Sequence, residues 1–260
     1  MNKVESVRPI APYVGGKSLL SKHITGRIEA ISHQTYVEPF VGMGGIFFRR
    51  SAAPKCEIIN DISGDVVNLF RILQRHYPQF LDVLKFQITS RSEFERLKAT
   101  DPATLTDLER AARFLYLQRT AFGGKVEGRN FGVSLRPATF DLTKLVPMLE
   151  EVHERLSRVV IERLPFADCI KRYDRKETLF YLDPPYWNSE TYYGKGIFSK
   201  GDYSTLAEQL RNIKGHFLLS INDVPQIREI FSGFDFEKVN LNYTLGAKGT
   251  KEAHELIISN

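Results

Sequence analysis

The chain has 260 residues, 42% apolar and 26% charged, the balance of a globular protein, which excludes a disordered, collagen-like or coiled-coil chain. Lysine and arginine number 36 against 31 for aspartate and glutamate, a formal charge of +5 that admits a polyanionic partner without requiring one. No apolar run approaches the roughly 18 residues of a membrane span, and Met1 to Val14 lacks the apolar stretch of a signal peptide, so a cytoplasmic protein with no membrane partner is expected.

In chain order, Leu20, Ile24, Ile28 and Ile31 recur at helical spacing and predict an amphipathic helix over Lys17 to Ala30. Thr35 to Phe40 reads as a short strand that breaks into Gly42-Met43-Gly44-Gly45, with the apolar Ile46 to Phe48 opening a helix. Glu57 to Asp61 is a second buried strand, and Val66, Val67, Phe70 and Leu73 share a face of the helix behind it. Alternation of this kind implies a parallel sheet.

From about Arg71 to Leu149 the pattern turns to helical periods without a convincing strand. Thr106 and Glu109 have capping-box spacing ahead of Leu108, Ala112 and Leu115. Gln118 to Arg136 mixes glycines with basic and aromatic residues and is expected to form a loop or hairpin. A strong helix then runs through Leu142, Leu145, Leu149, Val152 and Leu156. Strands resume at Arg158 to Glu162, Thr178 to Leu182, Phe217 to Ile221 and Glu255 to Ser259, with Leu206, Leu210 and Ile213 on a helix between two of them. The division expected is 1–70 and 151–260 as one domain, with 71–150 inserted. Two cysteines, Cys56 and Cys169, fit a reducing compartment, and six scattered histidines give no ligand cluster, so no metal is expected.

The sharpest signal is Asp183-Pro184-Pro185-Tyr186 after the apolar Leu179 to Leu182. Two prolines fix φ and remove two backbone donors, so a carboxylate and a rigid carbonyl form an acceptor-only site at a strand end. Such a site suits an amino group with two hydrogens to give, and Tyr186 offers a flat face to a planar ring. Gly42 and Gly44 allow close backbone approach to a ligand, and Asp61, nineteen residues after Gly42, is placed to hold ribose hydroxyls. A nicotinamide cofactor uses the same geometry, but Phe47 stands where its third glycine belongs. Ala11 to Ser18 formally matches a phosphate-binding loop. It lacks the buried strand that must precede one, and Pro12 removes a phosphate-facing N–H, which leaves an NTPase as a remote alternative.

Together these segments resemble the amino-directed DNA methyltransferases, and within them the Dam-like adenine-N6 group in its alpha motif order. Pro12-Tyr13-Val14-Gly15-Gly16-Lys17 is similar to the N-terminal cofactor motif, Glu38-Pro39-Phe40-Val41-Gly42-Met43-Gly44-Gly45 to the cofactor glycine loop, and Asn60-Asp61 to the ribose-binding acid. Pro165-Phe166-Ala167-Asp168 is similar to the segment beside the cofactor adenine, and Asp183-Pro184-Pro185-Tyr186 to the catalytic motif. The resemblance implies a Rossmann-like α/β methyltransferase sheet with a mainly helical target-recognition insertion. It also implies S-adenosylmethionine as cofactor, double-stranded DNA as partner with no obligate protein partner, and a restriction–modification or phage-type enzyme that flips adenine out of the duplex. Catalysis is expected from Asp183, Pro184 and Tyr186, and cofactor binding from Tyr13, Lys17, Phe40, Gly42, Gly44, Asp61, Asp168 and Asp183.

Arg119, Phe122, Lys125, Arg129 and Arg136 have the composition of phosphate contacts, groove readout and a ring inserted at a disrupted base pair. Arg119-Thr120 and Phe122 match the Dam-like core, whereas Gly123-Gly124 and the residues around Asn130 depart from it, so the target sequence is not fixed by the resemblance. Cytosine-N4 methylation, methylation of RNA or of a protein glutamine, and a catalytically silent DNA-binding module are the alternatives weighed.

Overall fold

A computed structural model of the chain describes residues 2–13, 17–121, 130–132, 140–190, 196–244 and 250–260, with 241–244 and 250–253 described by backbone alone. The elements are β1 (Asn2–Lys3), α1 (Ser21–Ala30), β2 (Thr35–Glu38), β3 (Ala52–Ala53), β4 (Cys56–Asn60), α2 (Gly64–Arg75), α3 (Tyr77–Leu84), α4 (Arg91–Ala99) and α5 (Asp107–Thr120). They continue with α6 (Leu142–Leu156), β5 (Val160–Glu162), α7 (Phe166–Tyr173), β6 (Thr178–Leu182), α8 (Lys200–Arg211), β7 (His216–Asn222), α9 (Pro225–Ile230), β8 (Asp235–Thr244) and β9 (Thr250–Ser259).

Seven strands form one sheet in the order β5-β4-β2-β6-β7-β9-β8. The first five are parallel, and β9 runs antiparallel between β7 and β8. This is an open, mostly parallel Rossmann-like α/β sheet. The strand order reverses between β2 and β6, so their carboxyl ends flank the crevice where open α/β sheets bind ligands. Both faces of the sheet are covered. Along β6, Leu179 and Tyr181 enter one apolar core while Phe180 and Leu182 enter the other, which is why this strand reads as an unbroken apolar run.

Several elements depart from the sequence reading. The first helix begins at Ser21, four residues late, because the apolar period starts only at Leu20 and Lys17 turns inward, buried. After the glycine loop there is one 3-10 turn, Phe47–Arg49, instead of an α-helix. Gly42 and Gly44 have φ of +50° and +70°, and the chain is already extended at Arg50 on its way to β3. The expected boundaries at 70/71 and 150/151 fall inside α2 and α6. Both helices belong to an apolar core continuous from Tyr36 in the sheet to Phe94 and Leu115 in the insertion. Gln74 ties α2 to the end of α6 through the carbonyls of Leu156 and Val159. The capping box at Thr106 and Glu109 forms as expected. Strand β8 is absent from the sequence expectations, although Val239, Leu241 and Tyr243 alternate with asparagines in the manner of an edge strand. Among the described residues no helix is long and apolar enough to cross a membrane.

Candidate active site

A cavity of about 430 Å³ opens at the carboxyl edge of the sheet, beside the β2–β6 reversal. Of the residues expected to bind cofactor or act in catalysis, Tyr13, Lys17, Phe40, Gly42, Asp61 and Asp183 line it. Four others do not.

Gly44 lies behind the wall. A Cβ there would sit 2.3 Å from the Phe48 ring, so this glycine shapes the loop without facing the cavity. Asp168 is exposed in the first turn of α7, because Phe166, Cys169 and Ile170 take that helix's inward face. Phe166 reaches the site indirectly, its ring centroid 5.5 Å from that of Phe40. Pro184 is buried and is not part of the lining, whereas the adjacent Pro185 does line the cavity. Tyr186 does not present an open ring. The Lys17 ammonium lies 4.3 Å from its centroid, and Lys17 Nζ donates to its hydroxyl at 2.7 Å.

Asp183 follows directly on β6, whose five buried residues fix its position. Lys17 Nζ sits 2.6 Å from Asp183 Oδ1, and the Ser220 hydroxyl on β7 donates to the same oxygen at 3.3 Å. Lys17 is 3% exposed and Asp183 22%, so of this pair the carboxylate is the more open to the cavity that both line. Burial pushes the Asp183 carboxyl up to about 6; Lys17 opposes that rise and Glu255 adds to it. Glu255, on β9, is 4.0 Å from Lys17 Nζ and hydrogen-bonds the Tyr186 hydroxyl. Burial, with Asp183 and Glu255 beside it, keeps that phenol protonated.

Asp61 stands at the end of β4, with the Gly42 N–H donating to Oδ2 at 2.9 Å and the Ser63 N–H to Oδ1 at 2.8 Å. Burial raises its carboxyl to about 6 against these bonds. Its neighbour Asn60 is structural: its amide joins the carbonyls of Pro39 and Leu164 and receives the Leu164 N–H. Tyr13 packs on the glycine loop, and a Cβ on Gly42 would fall 3.0 Å from its ring.

Glu38 stands out in the sequence only as part of the glycine-loop motif, yet it is a cavity carboxylate. It is 2% exposed and accepts from the Tyr36 hydroxyl at 2.6 Å. Burial raises its carboxyl to about 8, in spite of Tyr36 and Arg50. An acid ending an apolar strand just before a glycine turn was the signal available.

Arg119 is placed differently from the groove contact expected of it. It ends α5 in the cavity wall, half-buried, with Nη1 donating to the Ile10 carbonyl at 2.5 Å, while Gln118 donates to the Pro12 carbonyl. The buried face of α5 turns these last residues inward, onto the N-terminal segment. Phe122, Lys125, Arg129 and Arg136 lie outside the described residues. Phe131, beside them, packs on Phe94 with Arg91 over its ring.

The model of the D12 class N6 adenine-specific DNA methyltransferases matches residues 13–245. The chain belongs to that class. It is 27% identical to the type II methyltransferase M1.LlaDCHI of Lactococcus lactis subsp. cremoris, across 100% of this chain and 97% of that one. Identity is 25% to the type II methyltransferase M.CviBI of Paramecium bursaria Chlorella virus NC1A, over 89% of this chain and 90% of the relative. It is also 25% to a DNA adenine methylase of Haemophilus influenzae, over 94% and 90%. This D12-class enzyme therefore transfers a methyl group from S-adenosylmethionine to adenine N6 in DNA. The class sets aside the cytosine-N4 and NTPase alternatives, and the Lys17 ammonium, committed to Asp183 and Tyr186, is not disposed as a phosphate-loop lysine.

The cavity suits that cofactor chemically. Asp61 and Asp183 match a ligand with ribose hydroxyls and a cationic centre, Glu38 adds a buried acid that retains its proton up to about pH 8, and the volume is within the roughly 300–1,000 Å³ of small-molecule sites.

Proposed function

We propose that this D12-class enzyme methylates adenine within double-stranded DNA, after the base has swung out of the duplex to the Asp183 edge of the cavity. The observation that carries this reading is the placement of Asp183 at the β2–β6 reversal, exposed to the cavity while its ammonium partner is buried. The adenine amino nitrogen is a weak nucleophile because its lone pair is delocalised into the ring. Lys17 and Ser220 both engage Asp183 Oδ1, which assigns Oδ2 to accept one amino hydrogen. The Pro184 carbonyl accepts the other, favouring a more tetrahedral nitrogen. When bound, S-adenosylmethionine supplies an electrophilic methyl group on a cationic sulfonium. Asp183 is also placed to take the proton that the amino group sheds.

Asp61 holds the ribose hydroxyls, Tyr13 and the Gly42 backbone form the cofactor wall, and Lys17 keeps Asp183 ionised and oriented. With one face of the Tyr186 ring covered by Lys17, stacking of the target base is assigned to the other face. The insertion, 71–150, reads the duplex through Phe122, Lys125, Arg129 and Arg136, while 1–70 and 151–260 carry the chemistry. An enzyme whose substrate is genomic DNA is assigned to the cytoplasm.

The test pairs single-turnover methylation of a DNA duplex, read by nucleoside mass spectrometry, with cofactor titration. Asp183→Ala should abolish N6-methyladenine formation while retaining DNA binding, and Asp61→Ala should chiefly weaken cofactor binding. Near-normal methylation in the first, or unchanged cofactor affinity in the second, refutes the assignment.

A further inference from the structure

The cavity also holds, in its wall, arginines that the methyl-transfer chemistry leaves unused. Arg8, Arg49 and Arg119 line it along with the three carboxylates. Arg49 is half-buried and anchored, its Nη1 donating to the Gly45 carbonyl at 2.5 Å. Burial and the adjacent Arg8 charge both push its guanidinium below its ordinary pKa, and among the described residues no acid offsets them. Arg119 is likewise depressed by burial, with Asp141 opposing, and is anchored to the Ile10 carbonyl. Like charges brought together with part of their hydration removed are costly, and a bound anion relieves that cost. A planar guanidinium already fixed by one hydrogen bond keeps further donors in the fork geometry that matches a carboxylate.

Position identifies the anion. The glycine loop runs from Gly42, whose N–H meets Asp61, to Gly45, whose carbonyl meets Arg49. Three residues of chain reach at most about 10 Å. A ligand with its ribose at Asp61 and its body along this loop brings its far end to the arginines, with Glu38 and Asp183 on the sheet side of the same cavity. On S-adenosylmethionine that far end is an amino-acid tail carrying one ammonium and one carboxylate. We infer that Arg49, supported by Arg8 and Arg119, is the receptor for the tail carboxylate, so that the site selects its ligand by the tail as well as by the nucleoside. The inference rests on the cofactor site assigned above.

Calorimetric titration of the full chain tests it with two ligands. S-adenosylhomocysteine has the tail, whereas 5′-methylthioadenosine has the same thionucleoside without it. Arg49→Gln should weaken S-adenosylhomocysteine about 10- to 100-fold, the loss of a hydrogen bond to a charged group, while leaving 5′-methylthioadenosine unchanged. Arg49→Lys should recover only part of that loss. Arg8→Gln, at an exposed position, should show a smaller loss with the same selectivity. Equal weakening of both ligands, or unchanged S-adenosylhomocysteine affinity, overturns the inference. So does a loss confined to duplex affinity in fluorescence anisotropy, which would reassign the arginines to a backbone phosphate. Failure of the wild-type chain to bind either ligand would instead sink the cofactor-site assignment itself.

Discussion

Lys17→Met tests whether the buried ammonium sets the working state of Asp183. With Oδ1 held by Lys17 and Ser220, Oδ2 must stay unprotonated to accept the amino hydrogen and take up the proton shed, so kcat/KM should fall as pH drops through the Asp183 pKa, near 6 in the free enzyme. The substitution removes a charged partner at 2.6 Å and leaves the desolvation and the Glu255 charge, both of which favour the protonated form. A hydrogen bond to a charged group contributes about 1.5–3 kcal/mol. At about 1.4 kcal/mol per pH unit, the acid limb should move up by about 1 to 2 pH units. At neutral pH a large part of Asp183 would then be protonated, and activity should recover as pH is raised toward 9. The assay is kcat/KM for a DNA duplex between pH 5 and 9.5, with cofactor affinity measured separately at each pH. An acid limb that stays in place, or a deficit equal at every pH, would refute the claim that Lys17 acts through Asp183.

Glu38→Gln should flatten the pH dependence of stability. The folded pKa of about 8 lies above the ordinary glutamate value, so the folded chain retains a proton that the unfolded chain releases. This group's contribution to stability therefore falls from about pH 4 to 8, by up to roughly 1.4 kcal/mol per pH unit. Thermal melts across that range should show the wild type losing stability relative to the variant, and parallel curves would count against a buried, protonated Glu38. Gly44→Ala should destabilise by at least about 2 kcal/mol, since a left-handed backbone costs about 1–2 kcal/mol and the new methyl meets Phe48. Denaturant unfolding measures it, and an unchanged midpoint would show that the loop relaxes. Replacing Lys125 or Arg129 should lower the slope of log DNA affinity against log salt by about one for each phosphate no longer neutralised, without altering cofactor affinity. Unchanged slopes for both would remove the insertion from the DNA interface.

Strand placement was legible in the sequence because buried parallel strands demand apolar runs. The expected and observed bounds of Thr178–Leu182 coincide, and Asp183-Pro184-Pro185-Tyr186 marks where that strand ends at the cavity. The glycines at 42 and 44 and the acid at 61 were equally plain, since a tight turn and a strand-end carboxylate have local signatures. Local pattern failed where the answer depended on partners distant in sequence. Lys17 reads as the start of a helix, but the charges that bury it, Asp183 and Glu255, lie more than 160 residues away. Asp168 sits in the right motif, yet the inward face of α7 is taken by Phe166, Cys169 and Ile170.

Composition and periodicity thus determined six of the seven strands of the sheet, and five ordered motifs pointed to the class. Tertiary structure alone decided the charges of the site. It gathered Glu38, Asp61 and Asp183 from three strand ends, and Arg8, Arg49 and Arg119 from three other segments, around a single cavity. Burial and the summed field of these groups then shifted their protonation, and both depend on what the folded chain brings near, which no local stretch of sequence encodes.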